Sequence, residues 1–490
     1  MVMSDLERQA EQIRKLLVSN DHDLAMMQCE SLLADYPQEK LAWMVMGHVY
    51  RASSDMYRAG KAYDRAVALG ETRAETFIHA AYAWRMTGNA DASFDRLDHC
   101  VRLHGRSDQV SFAKAEAMER LGDFDGAEAA LDEVGAHAKE QKQVPYVRGM
   151  VAIGRRDFGC AVDHLRAVVD DPKADPMLHM ACYFQLAKLH DKQGEYDLAW
   201  QCAVKANHAP GPPAEVSLNA VKTEELLRGL SPDIFDVAAK ASSPGEEGVF
   251  IVGMPRSGTS LIEQIFSMHS EVACAGEAAA AHLIYTRLSR EIDTFNPYPL
   301  NLIDMRVADA DRLQAQYLEA TSWIDPTAKR MSNKSLTLPL NLPLLSVVMP
   351  GSRAILLRRH PLDNAVSCFT TPLRAGGGHQ WAGSLKTIGD TQLAFHRLMT
   401  WYQEHLPMKL LPLVYEELVS DQESQTRRLI DFLGVDWEPA CLEFHTSRRV
   451  AQTISYDQVN RKMYTSSDGR WKNYEKHLGP LIDQIESILP

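Results

Sequence analysis

Small side chains recur along the first part of the chain at a fixed step. Ala25, Ala59, Ser93, Ala127 and Ala161 stand 34 residues apart, and Ala199 follows after 38. A period of this length excludes most folds, because one unit is too short to bury a core alone and must stack on its neighbours. Other positions keep the same phase. Trp43, Met46, Gly47 and Tyr50 fall in the first helix of a unit, Tyr63 and Ala66 in the second, and Pro37 closes the unit before. Phe77, Ala80, Ala81 and Trp84 repeat the set, with Gly88 and Gly122 at turns between helices. A last unit is visible in Ala187, Gly194, Tyr196, Ala199, Ala203 and Ala206, after a loop-like insertion at Asp170–Pro176. Small residues let two helices cross closely, while large ones fill the groove of the next pair.

This period and residue set resemble tetratricopeptide repeats, and the resemblance implies an α-helical solenoid. Breaks at Asn207–Pro213 and Ala241–Gly245 put a domain boundary near 240, giving a repeat domain with a short linker at 1–240 and a second domain at 241–490. Two or three domains suit a chain of 490 residues. The resemblance implies a concave face offered to a peptide or protein, such as an acceptor substrate. A homodimer surface and a rigid spacer are equally open readings of the same repeats.

The formal charge of −13 argues against general binding to nucleic acid or an anionic membrane. It is uneven: residues 241–490 hold 24 Lys+Arg against 28 Asp+Glu, leaving 28 against 37 for residues 1–240. The second part is thus the better furnished for an anion. Eight scattered cysteines without a CxxC pair fit a reducing, cytoplasmic compartment and show no metal-ligand spacing. The most apolar stretch, Leu336–Leu357, is interrupted by Pro339, Pro343, Pro350, Gly351 and Arg353, so no membrane span is expected.

Gly248–Gly253 reads as a buried strand, followed by Met254-Pro-Arg-Ser-Gly-Thr-Ser-Leu261 and an amphipathic helix through Ile265 and Met268. Strand, Gly-containing turn and helix aim backbone amides and a helix N-terminus at a phosphate. The spacing Gly253-x4-Gly258 is that of a phosphate loop, yet Thr259 stands where a nucleotide-hydrolysing loop has lysine. Such a loop still grips a single phosphate through Ser257, Gly258, Thr259 and Ser260, with Arg256 adding a guanidinium. Ser352–Arg359 reads as a second strand leading into a helix. There Arg359 and Ser367 can converge on one anion, and Arg suits phosphate because its planar fork matches the oxygens. Met408–Tyr415 reads as a third strand, and Tyr415 at its C-terminal end sits where parallel sheets bind ligands.

Pro255-Arg-Ser-Gly-Thr-Ser260 resembles the 5′-phosphosulfate loop of the sulfotransferase superfamily, in the form found in tyrosylprotein sulfotransferases and bacterial repeat-bearing sulfotransferases. The resemblance extends over 248–480. It implies an α/β phosphate-loop-like domain with a central parallel sheet that uses 3′-phosphoadenosine 5′-phosphosulfate as co-substrate and leaves 3′,5′-adenosine diphosphate. It implies Arg359 and Ser367 on the 3′-phosphate, Tyr415 on the adenine, and Arg470 and Lys472 as further donor contacts. For catalysis it implies Glu277 as base, Lys334 assisted by Ser455 on the bridging oxygen, and Arg256 as a second source of positive charge. The family carries a second Glu where this chain has Ala278, and Asn333 and Ser335 flank Lys334 in place of the usual Asp and Pro. Sulfuryl transfer is an in-line displacement with a loose transition state, and the group's low charge makes a metal unnecessary. Two other readings are a phosphate-loop kinase or nucleotidase, which lacks its lysine at 259, and a repeat scaffold with an inactive second domain.

Overall fold

The structure, a computed structural model, describes residues 4–19, 21–53, 55–321, 324–376, 379–447, 463 and 468–490. The chain divides into two compact units, Met1–Leu189 and His190–Pro490.

The first unit is built of helix pairs. Lys40–Ala52 packs on Met56–Ala68, Ala74–Met86 on Ala90–His104, Asp108–Leu121 on Phe124–Asp132, and Val144–Gly154 on Phe158–Val169. The second helix of each pair starts in the same way. Asp21, Asp55, Asn89, Asp123 and Asp157, again 34 residues apart, each accept the amide three residues on, at 3.0–3.3 Å. These caps satisfy one of the amides that a helix start leaves unpaired, and they set the phase of the pair. Ala25, Ala59, Ser93, Ala127 and Ala161 are all buried, as the closest crossing points must be. Gly47 shows how tight a crossing is: a Cβ there would stand 2.5 Å from the ring of Tyr63, whose hydroxyl is 2.9 Å from His48 Nδ1. The structure thus has the tetratricopeptide-type arrangement of helices expected from the period.

The second unit holds a five-stranded, wholly parallel sheet: β1 Gly248–Gly253, β2 Val272–Cys274, β3 Arg330–Asn333, β4 Arg353–Arg358 and β5 Lys409–Val414, in the order β2-β3-β1-β4-β5. Alternate residues of β1 enter different cores. Phe250 and Val252 pack with helices Ala280–Glu291, Val307–Thr321, Leu338–Val348 and Leu385–His405, while Val249 and Ile251 pack with Thr259–Phe266 and Gln422–Leu433. Burial on both faces explains why β1 reads as an unbroken apolar run. Pro412, which has no amide to donate, is tolerated because β5 is an edge strand. The apolar stretch 336–357 is the helix Leu338–Val348 followed by β4.

The contacts divide the chain earlier than the break near 240. Helix Tyr196–His208 lies within the sheet-bearing unit, where Trp200 stacks on Phe369 (4.6 Å) and His477 (5.0 Å) and Asn207 donates to Phe369 O (2.9 Å). Helix Leu218–Gly229 packs on Leu385–His405, joined by a Ser217–Thr391 hydroxyl contact of 2.7 Å and an Arg397–Glu224 ion pair. Helices that share the composition of the repeats therefore take their packing partners from the sheet-bearing unit.

Candidate active site

β1 lies between β3 and β4, and Gly253 is in register with Leu357. The chain leaves β1 toward β2 and leaves β4 toward β5, so the loops diverge at the C-terminal ends of β1 and β4. That divergence opens the crevice where doubly wound sheets bind ligands. Three of the segments singled out in the sequence end there.

The loop after β1 turns sharply. Arg256 has φ of 67° and Gly258 φ of 108°, and helix Thr259–Phe266 starts with no side-chain cap. Positive φ is unusual for a residue with a Cβ, and here it is held by neighbours. Arg256 Nε donates to Ser367 Oγ at 3.1 Å, and Arg359 Nη1 donates to Arg256 O at 2.9 Å. Asn364 Nδ2 and Cys368 Sγ, from the same helix as Ser367, donate to Pro255 O at 2.8 and 3.4 Å. Burial pushes the Cys368 thiol up to about 12, so it stays protonated and can donate. Ser257 is buried beneath the loop, and its Oγ has no hydrogen-bond partner among the described residues. Tyr415 closes the far wall. Its ring lies so near Gly258 that a Cβ there would be 2.5 Å away, and the Arg359 guanidinium stands 4.8 Å from its centroid. Arg358 diverges from its neighbour, with Nη2 3.5 Å from Thr400 Oγ1.

On the other flank, β3 ends at Asn333 and delivers Lys334, which is 3% exposed. Its amide donates to Gly276 O at 2.8 Å, and its Nζ meets Glu277 Oε1 at 2.9 Å and Glu263 Oε2 at 4.0 Å. Glu263 is itself buried and accepts the Gly276 amide at 2.8 Å. A buried ammonium needs such partners, since desolvation otherwise exceeds what one distant charge returns. Glu277 is half exposed, with its carboxylate open to an incoming group. Burial lowers the pKa of His379 while the Glu277 carboxylate opposes that lowering, so the imidazole is within electrostatic reach of Glu277.

The site thus gathers Arg256, Ser257, Gly258, Thr259, Ser260, Arg359, Ser367 and Tyr415 around one loop, with Glu277 and Lys334 paired at the neighbouring strand ends. Arg470 does not join them. Its guanidinium pairs with Asp191 at 2.8 Å and lies over the Tyr474 ring. Lys472 is exposed, and Ser455 lies outside the described residues. What anchors the C-terminal segment is Asp363, whose two oxygens accept the amides of Gly469 and Trp471 at 2.8 Å each, while Trp471 stacks on His360. Among the described residues, Asp363, Glu416 and Asp468 bring carboxylate oxygens within 4.8 Å of one another. Asp363 is already occupied by those two amides, and Glu416 accepts the His360 amide at 2.9 Å. Sequence reasoning missed Glu263, Asn364, Asp363 and His379. Only Glu263 carried a signal, as a lone charge in the apolar run Leu261–Phe266.

Residues 248–439 match the model of the Sulfotransferase family. Protein-tyrosine sulfotransferase 1 of Danio rerio is 27% identical over 225 residues, 44% of this chain and 60% of that protein. An uncharacterized protein of Aquifex aeolicus (strain VF5) is 27% identical over 332 residues, 66% of this chain and 43% of that protein. The chain thus spans less than two thirds of the length of either relative. Among solved structures, the sulfotransferase domain from the curacin biosynthetic pathway aligns with 51% of this chain and 100% of its own at 17% identity, with a TM-score of 0.35. The type IV pilus biogenesis factor PilW aligns with 42% of this chain and 93% of its own at 15% identity, with a TM-score of 0.36.

Proposed function

Taking as premise the sulfotransferase-family domain at residues 248–439, we propose that this protein transfers a sulfuryl group from 3′-phosphoadenosine 5′-phosphosulfate to an acceptor hydroxyl. The interlock of Arg256 with both Arg359 and Ser367 carries the reading. It couples the loop suited to a 5′-phosphate to an Arg and a hydroxyl suited to a second phosphate. The buried Ser257 hydroxyl, without a partner of its own, supports an anion in that loop. Gly258, Thr259 and Ser260 contribute main-chain amides. The Tyr415 ring, already faced by a guanidinium, offers an edge or face to the adenine.

The chemistry follows from the second flank. The acceptor oxygen forms a bond to sulfur as the bond from sulfur to the 5′-phosphate oxygen breaks, and the acceptor proton goes to Glu277. Negative charge grows on the departing phosphate oxygen, where Lys334 and Arg256 stabilise it and Ser455 assists. Lys334 is paired to Glu277 at 2.9 Å, so its ammonium must leave that carboxylate for the leaving oxygen, freeing the base as the donor is engaged. Lys472 is the further donor contact, and Arg470 would serve only by leaving Asp191. The reaction as written takes no metal.

The relatives named protein-tyrosine sulfotransferases favour a tyrosine-bearing protein as acceptor over a glycan. The repeats, within the stretch read as 1–240, hold that protein or a second copy of the chain, and the residues proposed for transfer lie within 241–490. All eight cysteines are free thiols, which suits the cytoplasm. Among the described residues, no helix is long and apolar enough to cross a membrane.

The test is calorimetric titration with 3′,5′-adenosine diphosphate and with 5′-AMP. The diphosphate is expected to bind at least tenfold more tightly, and Arg359→Ala to remove most of that advantage, about 1.5–3 kcal/mol for a charge-assisted contact. Equal affinity for the two nucleotides would overturn the donor assignment.

A further inference from the structure

The first unit contains a cavity that the transfer chemistry does not use. It has a volume of about 160 Å³ and lies among helices Lys40–Ala52, Ala74–Met86, Ala90–His104 and Asp108–Leu121. Its apolar lining comes from Ile78, Leu97 and Ala113. Two guanidiniums line it as well. Arg51 and Arg85 are one 34-residue period apart, so they hold the same place in the last turns of successive first helices. Neither is within 4.0 Å of a carboxylate oxygen among the described residues, although the first part of the chain is acidic overall. Arg85 stands 5.3 Å from the ring of Tyr82, which is itself 37% exposed. His79 lines the same cavity, and its Nδ1 is buried without a partner among the described residues.

Burial, His79 and then Arg51, Arg14 and Arg73 push the pKa of His48 down to about 3. The opposing charges are Glu116, in the lining, and Glu75, which acts on His79. Burial raises the pKa of Glu116 against the pull of Arg85 and Arg120. Its carboxylate is thus a poor substitute for a ligand that brings its own charge.

We propose that this cavity binds an acidic peptide, seating one apolar or aromatic side chain on Ile78, Leu97 and Ala113 and pairing flanking carboxylates with Arg51 and Arg85. The volume is close to that of a cavity able to hold a benzene ring, and a guanidinium takes a carboxylate through two parallel hydrogen bonds. An anionic glycan could use the two arginines but would leave the apolar floor unfilled, which is why a peptide is the better occupant. The proposal deepens the partner part of the reading above and is independent of the transfer step.

Its test is fluorescence anisotropy on the full chain with a labelled peptide holding one Phe between two Glu on each side. Phe cannot accept a sulfuryl group, so the assay does not depend on the proposed reaction. Replacing the four Glu by Gln, or combining R51Q with R85Q, is expected to weaken binding at least tenfold, and E116Q to tighten it several-fold. Saturating 3′,5′-adenosine diphosphate and Arg359→Ala should leave it unchanged, and raising salt should weaken it. Binding that survives R51Q/R85Q, or that the nucleotide displaces, overturns the proposal. So does an arginine-dependent affinity for a sulfated oligosaccharide above that for the peptide. A thermal midpoint for R51Q/R85Q near that of the parent chain separates lost binding from lost folding.

Discussion

Lys334 is the side chain on which the most depends, because its ammonium is withdrawn from water between two carboxylates of different character. Glu277 is half exposed and can be released, whereas Glu263 is buried and tied to the Gly276 amide. Removing the ammonium therefore has two consequences at once. Lys334→Met is expected to cut turnover by about 10²–10³, the usual cost of losing one preorganised group at a site of developing charge. It also leaves the buried Glu263 facing an apolar chain, so the thermal midpoint should fall as well. Glu277→Gln keeps the packing and an acceptor oxygen for Lys334 but is a poor base. Its expected signature is a loss of about 10²–10⁴ in kcat with 3′,5′-adenosine diphosphate binding unchanged. Steady-state kinetics beside nucleotide titration check the pair, and a Glu277→Gln enzyme of full activity would remove Glu277 from the base role. Ala278 is no alternative base, since a methyl group cannot take a proton.

At the level of elements, the repeated caps are the more informative device. Asp123 accepts the Gly126 amide at 3.0 Å and opens helix Phe124–Asp132, which is only nine residues long. So short a helix is marginal without its cap and its packed face. Asp123→Ala is expected to cost about 1 kcal/mol, with a cap at any of the other four positions costing a similar amount. Urea unfolding followed by circular dichroism reads this, and nucleotide affinity should not move. The caps fall at the same period as Ala25 and its successors, so a second in-phase signal was present in the sequence and was not needed to recognise the repeat. The strands were less evenly legible. β1, β4 and β5 span six residues each around apolar runs of four to six, long enough to be read. β2 and β3 span three and four residues and carry polar positions such as Ser332 and Asn333. The pairing of β3 with β1 and of β2 with β3 makes them strands, and pairing is not a local property.

At the level of the molecule, the consequential result is where the second unit begins. Helices before 240 supply it with the Trp200 stack on Phe369, the Asp191–Arg470 pair and the Ser217–Thr391 contact. Phe369 ends the helix that carries Ser367, so this packing lies directly behind the site. A fragment starting at His190 is expected to unfold in one cooperative step and to bind 3′,5′-adenosine diphosphate. A fragment starting at Ala241 should lose most of that stability, since one buried aromatic truncated to alanine already costs about 3–5 kcal/mol. Comparable melting curves for the two fragments would put the working boundary back near 240.

Periodicity, the loop Pro255–Ser260 and the apolar runs around it are local properties, and they were enough to identify helical repeats followed by a parallel-sheet domain. Each depends on neighbours a few residues away, or on a spacing that any one copy of the chain repeats. The ion-pair partners could not be found that way. Glu263, on the helix after β1, meets Lys334 at the end of β3, Arg470 turns to Asp191 rather than to the crevice, and the helix Tyr196–His208 carries the small residues of the repeats while packing on Phe369. A charge settles where the folded chain brings it an opposite charge out of water, and a helix settles on whichever apolar surface it buries best. Both choices are made by segments far apart in the chain, after the backbone has closed.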